Sequence, residues 1–200
     1  PTVAKVALPS GGNTMSNGTI SLLRFSVTAN AAGDVGLYKF TFKIATTTAV
    51  VGAFNVRGYT DSSFSTAVSG VNSGGQLMNT DLNCATTACC TQADVVIDNA
   101  GTATVLQVPA GTTRYFDFLG AITGTASGAV VTTQLEGDAA YLTLATLMAS
   151  TTKAEADTND DFIWSPNATT SVGVNNVDFA NGYGVPGLPG TNLTAETVSK

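Results

Sequence analysis

The chain contains no histidine, and that absence excludes more chemistry than the residues present suggest. Without imidazole there is no Ser-His-Asp triad, no Cys-His pair and no side chain that ordinarily titrates near neutrality. Charge is scarce as well. Asp, Glu, Lys and Arg make up 11% of the 200 residues, and 8 Lys and Arg against 14 Asp and Glu leave a net charge of −6. Nucleic acid and anionic membrane surfaces both require clustered basic residues, and the few here are scattered. No apolar run reaches the roughly 18 residues that would cross a bilayer as a helix, which argues against membrane insertion. A Gly-x-Gly-x-x-Gly loop ahead of a helix and a Walker lysine are both missing, so no nucleotide cofactor is implied. Asp117, Glu136, Asp138 and Asp178 are too sparse and unmarked to suggest paired-carboxylate glycoside chemistry; solvated or turn-capping roles are expected. The chain is expected not to be an enzyme and to need no cofactor.

Cysteine is limited to Cys84, Cys89 and Cys90, crowded into 7 residues. One reading is a short-loop disulfide from Cys84 to Cys89 or Cys90, with the third thiol free or bridging to another chain. A zinc site would lack its fourth ligand, and the plain alternative is a loop of idle thiols. Bonding between the adjacent pair is disfavoured by ring strain.

What fills the chain instead is Thr, Ser, Ala, Gly and Val, so solubility rests on hydroxyls and amides. Such a surface suits close packing against copies of itself. The clearest structural signal is in residues 36–45, where Tyr38, Phe40, Phe42 and Ile44 alternate with Lys39, Thr41 and Lys43. That is the period of a strand with one buried and one wet face. Residues 19–29, carrying Ile20, Leu22, Phe25 and Val27, are expected to pair with it as a β-hairpin through the turn residues 30–34. The apolar register slips between Leu22 and Phe25, as a β-bulge near Leu23 would allow.

Residues 2–8 alternate Thr2, Ala4, Val6 and Leu8 against Val3, Lys5 and Ala7 and read as a first strand. A Gly-rich connector follows, so residues 1–13 are read either as an ordinary edge strand or as one exchangeable with a neighbouring sheet. Further strands are expected at residues 50–59, 63–68, 93–97, 102–108, 114–123 and 129–135, the last as a hairpin partner of the one before. Residues 69–92 read as a long loop. Turns every 8 to 12 residues or so between alternating strands indicate an all-β fold. The expectation is one domain over residues 1–200: an immunoglobulin-like β-sandwich of roughly 7–10 antiparallel strands with long loops and at most one short helix. Residues 139–152 suit either that helix or a loop, and residues 158–200 an irregular segment packing on the sandwich.

Two local patterns carry weaker chemistry. Asp157, Asn159 and Asp161 have the first three spacings of a calcium loop, but Phe162 and Ala168 stand where that loop needs Gly and Glu. Calcium at a surface site and a solvated acidic turn both remain open. Asn17, Asn167 and Asn192 begin Asn-x-Thr sequons, about as many as a Thr-rich composition yields by chance.

Near the C-terminus, Asp161-Phe162-Ile163-Trp164-Ser165-Pro166-Asn167 and Asp178-Phe179-Ala180-Asn181-Gly182-Tyr183-Gly184-Val185-Pro186-Gly187-Leu188-Pro189 form a recognisable pair of motifs. They resemble the closing segment of large secreted surface proteins of small-genome candidate-phylum bacteria. The stretches Leu23-Arg24-Phe25-Ser26-Val27-Thr28-Ala29, Lys39-Phe40-Thr41-Phe42 and Pro109-Ala110-Gly111-Thr112-Thr113 are similar to the β-sandwich domain of the same proteins. The resemblance implies a structural role at the cell surface, for a chain that corresponds to one terminal domain.

These readings lead to two expectations. The first is a self-assembling extracellular subunit of a filament, pilus-like fibre or surface layer, mature after removal of a leader, since Pro1 stands where an initiator Met would. Its partners would be copies of itself, joined by strand addition through Ala4, Val6 and Leu8 onto the sheet of Tyr38, Phe40 and Phe42, and by apolar packing. The second is an adhesin or carbohydrate-binding module that presents Trp164, Phe179 and Tyr183 to a glycan. The bland alternative has Phe162, Ile163 and Trp164 plugging one end of the sandwich.

Overall fold

The structure, a computed structural model, describes residues 1–9, 14–83, 91–123, 126–141, 159–167, 179–188 and 192–200. In chain order the strands are β1 (Thr2–Val6), β2 (Gly18–Thr28), β3 (Val35–Thr47), β4 (Val50–Tyr59), β5 (Leu82–Asn83), β6 (Gln92–Val96) and β7 (Asp98–Asn99). They continue with β8 (Thr102–Ala103), β9 (Leu106–Val108), β10 (Thr113–Thr123), β11 (Val130–Leu135), β12 (Phe162–Ser165) and β13 (Glu196–Ser199). The fold is all-β, as expected. One antiparallel sheet runs β1-β2-β10-β4-β5, and the other is centred on β3, which pairs with β11 and β12 along one edge and β6 and β9 along the other. The excess over the expected strand count comes from pieces of two or three residues such as β5, β7, β8 and β9.

Phenylalanines from both sheets close the core. Phe42 of β3 stacks on Phe118 of β10 with ring centroids 4.1 Å apart, and Phe118 stacks in turn on Phe54 of β4 at 5.2 Å. Phe25 of β2 touches Phe40, Phe42 and Phe116, all within 5.9 Å. Such ring pairs add about 0.5–1.5 kcal/mol each beyond the area they bury. They fix which face of each sheet looks inward.

The expected pairing of β2 with β3 is not what forms. β2 lies between β1 and β10, while β3 belongs to the opposite sheet, so residues 30–34 carry the chain across the sandwich rather than around a hairpin. The same holds for β10 and β11, which also lie in different sheets. Both faces of a sandwich are apolar on one side, and a strand that crosses to the facing sheet has the same alternation as one that folds back. The bulge does form: opposite Phe118 and Leu119, β2 presents Leu23 and Ser21, with Leu22 as the extra residue.

A second irregularity lies in β3. Opposite Ile163 and Trp164 stand Lys39 and Leu37, so Tyr38 is the added residue and the inward set changes from Val35 and Leu37 to Phe40, Phe42 and Ile44. Tyr38 therefore faces outward, into a small cluster with Val96, Ile163 and Phe179, and not with Phe40 as the alternation predicts. The expected wet face is also covered: Lys39 and Thr41 are buried and only Lys43 is exposed. Residues 63–68 form no strand; Asp61 caps that loop by accepting backbone N–H groups of Ser63, Ser65 and Thr66. Residues 102–108 divide into β8 and β9.

Within the single chain, β1 lies at the edge of its own sheet. β1 pairs with β2 of its own chain, and the register buries Val3, leaves Ala4 exposed and leaves Val6 and Leu8 half-buried. Its outer edge is capped where Val3 N–H donates to the Pro186 carbonyl at 2.8 Å, while Lys5 reaches the Ala195 carbonyl at 2.7 Å and Glu196 at 3.2 Å. The far edge of β13 is met by Met15, whose N–H donates to Ser199. Among the described residues no helix is long and apolar enough to cross a membrane.

Candidate functional site

The C-terminal motifs build a groove beside β12. Trp164 and Ala180 exchange backbone hydrogen bonds at 3.0 and 2.7 Å, which lays residues 179–181 along the free edge of β12. Behind them sits Asp138, fully buried, whose carboxylate accepts N–H groups from Asp161, Phe162 and Gly182 at 3.0, 3.2 and 2.6 Å. A Cβ at Gly182 would stand 2.8 Å from that carboxylate and 3.0 Å from Phe162 Cβ, so the Asn-Gly-Tyr motif requires glycine there. Burial raises the Asp138 carboxyl above its ordinary range despite the three donors, with the nearby Asp160 charge acting in the same direction.

Asn181 ties the next layer. Its Nδ2 donates to the carbonyls of Ala140 and Asn159, at 2.7 and 2.9 Å, while its own carbonyl accepts Trp164 Nε1 at 2.9 Å. The indole is thus fixed in orientation with its apolar body in the groove. Tyr183 follows on the turn and meets Tyr141 edge to face, ring centroids 4.5 Å apart. The resulting groove, about 420 Å³, is lined by Pro1, Tyr141, Trp164, Asn181, Tyr183 and Val185, among others. Tyr141 is 75% exposed and Tyr183 39%, unusual for large aromatic side chains.

Trp164 and Tyr183 both line this groove. Phe179 does not join them: it is buried on the far side of β12, its ring 5.5 Å from that of Tyr38. Phe40 and Phe42 lie wholly in the core and offer no surface, and Ala4, Val6 and Leu8 belong to the capped β1. Phe162, Ile163 and Trp164 divide among core, outer cluster and groove. Tyr141 lies in the stretch 139–152 that suits helix or loop equally, and nothing in the sequence marks it as a groove residue. Cys84, Cys89, Cys90 and Asp157 lie outside the described residues. Asn159 spends its side-chain oxygen on the Ala140 N–H, and Asp161 gives its carbonyl to Thr41 N–H. Among the described residues no group of three His, Cys, Asp or Glu is placed to hold a metal ion.

A separate ionic cluster lies on the outer face of the β3 sheet. Lys39 Nζ is 3.2 Å from Asp160 Oδ2 and 3.7 Å from Asp94 Oδ1, and Thr41 Oγ1 donates to the same Asp94 oxygen at 2.9 Å. No protein-family model, curated protein or solved structure matches the chain.

Proposed function

We propose that this protein is a structural subunit of an extracellular assembly, a filament, pilus-like fibre or surface layer, in which copies meet through the aromatic groove. The observation that carries the reading is the exposed pair Tyr141 and Tyr183 above Trp164, on a chain in which only 11% of residues are charged. Rigid aromatic side chains in a concave site are the usual anchors of protein interfaces, and their burial lowers free energy in proportion to area removed from water. Sparse charge leaves little repulsion between like copies, which favours a second copy as the occupant. A composition rich in Thr and Ser fits the same role.

Strand addition is the weaker route to assembly. Release of β1 would break its ladder with β2, the Val3–Pro186 bond and the Lys5–Glu196 pair, and would uncover Val3. Sedimentation across a concentration series, with electron microscopy of the same samples, tests the reading. Fibres, lattices or defined oligomers are expected, and monomers at every concentration would sink it.

A glycan is the second reading. Its specific support is that the Tyr141 and Tyr183 rings meet at 70°, making an open aromatic corner of the kind that takes the C–H face of a sugar. Binding on a glycan array that is lost in Trp164→Ala or Tyr183→Ala, with the fold retained, would favour it over self-assembly.

A further inference from the structure

We propose that Lys39 and Asp160 are joined by an intramolecular amide bond that the folded chain forms by itself, with Asp94 as the proton carrier. The two side chains are 2% and 1% exposed, and the Lys39 Nζ atom lies 3.2 Å from Asp160 Oδ2, in direct contact with the carboxyl group whose carbon it would attack. Asp94 approaches the same nitrogen from the opposite side at 3.7 Å.

Backbone pairing, not chance side-chain reach, sets this arrangement. Lys39 lies opposite Ile163 of β12 on one edge of β3 and opposite Val96 of β6 on the other. Asp160 precedes β12 and Asp94 lies within β6, so the amine is held between two acids carried by its two neighbouring strands. Thr41 Oγ1 fixes the Asp94 carboxylate, and Tyr38, Val96, Ile163 and Phe179 supply the apolar surroundings. Among the described residues the Lys39 Nζ atom has ion-pair contacts but no hydrogen bond of good geometry.

Passing one proton from the ammonium to Asp160 yields a neutral amine beside a neutral acid with no change in net charge. The nitrogen lone pair then adds to Cγ of Asp160. The proton lost from nitrogen passes to Asp94 and from there to the departing hydroxyl, the C–O bond breaks, and one water leaves. One C–N bond replaces one C–O bond, and no electrons are gained or lost, so no oxidant or cofactor enters. Fixed proximity in a dry site supplies the driving force that free amine and acid lack in water. The product is a covalent strap from the central strand β3 to the segment that leads into β12 and the aromatic groove.

Intact-mass measurement of the reduced, denatured protein, followed by peptide mapping, tests this. The expected native mass is lower than the sequence mass by one water, with the Lys39 and Asp160 peptides recovered as one branched species. Lys39→Arg and Asp160→Ala are expected at their full sequence masses. Asp94→Asn, with its fold verified by circular dichroism, is expected to remain largely uncrosslinked. A native chain at full mass overturns the proposal, and so does a loss of water without the branched peptide, which would place the dehydration elsewhere. An Asp94→Asn chain that crosslinks as completely as the native one removes Asp94 from the mechanism.

Discussion

Gly187 lies so close to Val3 that a Cβ on it would stand 1.7 Å from the Val3 carbonyl oxygen. Its φ of +91° is also in the region that side chains avoid. The segment 184–188 can cap β1 only because this position is bare. Gly187→Ala is therefore expected to lift the cap and cost about 2 kcal/mol or more, combining backbone strain with the loss of the Val3–Pro186 bond. Urea unfolding measures it, and a change within about 0.5 kcal/mol would show that the cap contributes nothing.

The same substitution bears on assembly. If β1 is freed without global unfolding, amide exchange should accelerate across residues 2–6 while β2 and β10 remain protected. Faster exchange spread over all three strands would mean that β1 cannot leave without the sheet.

Asp138 is the anchor of the groove. Removing its carboxylate leaves the N–H groups of Asp161, Phe162 and Gly182 buried without their acceptor. Asp138→Ala is expected to destabilise by about 2–4 kcal/mol, since each orphaned donor costs on the order of 1 kcal/mol or more. The indole emission of the single Trp164 should shift to the red as the segment 179–182 loosens. An unchanged spectrum and midpoint would remove Asp138 from this role.

Acidity separates the buried acids from the exposed one. Burial raises the Asp117 carboxyl above 3.8, outweighing the opposing pull of Arg24, and Asp138 is raised likewise. Each then holds its proton more tightly folded than unfolded. Their contribution is most favourable below 3.8 and declines as pH rises through the elevated folded values. Asp61 is shifted the other way by its hydrogen bonds from Ser63 and Thr66, so its contribution is present above 3.8 and lost as pH falls toward its lowered value. Denaturant midpoints for the native chain and Asp117→Asn, taken between about pH 4 and about pH 7, should show a shallower decline in the variant. Parallel curves would contradict it.

The inward face of β3 could be read ahead because Phe40, Phe42 and Ile44 keep strict alternation, and the bulge in β2 could be read because its apolar register breaks once. The sheet assignment of β2 could not, since a five-residue turn serves equally to fold back or to cross over. Lys39 and Thr41 look wet in sequence. They are buried because Asp94 and Asp160, 55 and 121 residues further along by the numbering, are brought beside Lys39 by strands that no local pattern links to β3. Asp138 has no sequence signal at all, because a carboxylate that binds backbone N–H groups needs no partner side chain. Trp164 and Tyr183 could be singled out as aromatic residues in a Gly- and Pro-rich segment, and their meeting with Tyr141 is set by Asn181 bridging Ala140 and Asn159.

Tyr141 and Tyr183 allow stability to be separated from association. Tyr141 is largely solvated in the single chain and Tyr183 partly so, and Tyr141→Ser with Tyr183→Ser removes about one edge-to-face contact and should cost no more than about 1.5 kcal/mol of folding stability. In an assembly that buries both rings, each loss would weaken the contact by about 2 kcal/mol or more, as expected of central aromatic anchors, and copies would meet twice per symmetric interface. The double variant should therefore unfold nearly like the native chain yet stay monomeric where the native chain associates. Sedimentation at matched concentrations decides between the outcomes. Association that survives the double substitution would move the interface away from the groove, and a variant that unfolds early would show that the rings serve the fold instead.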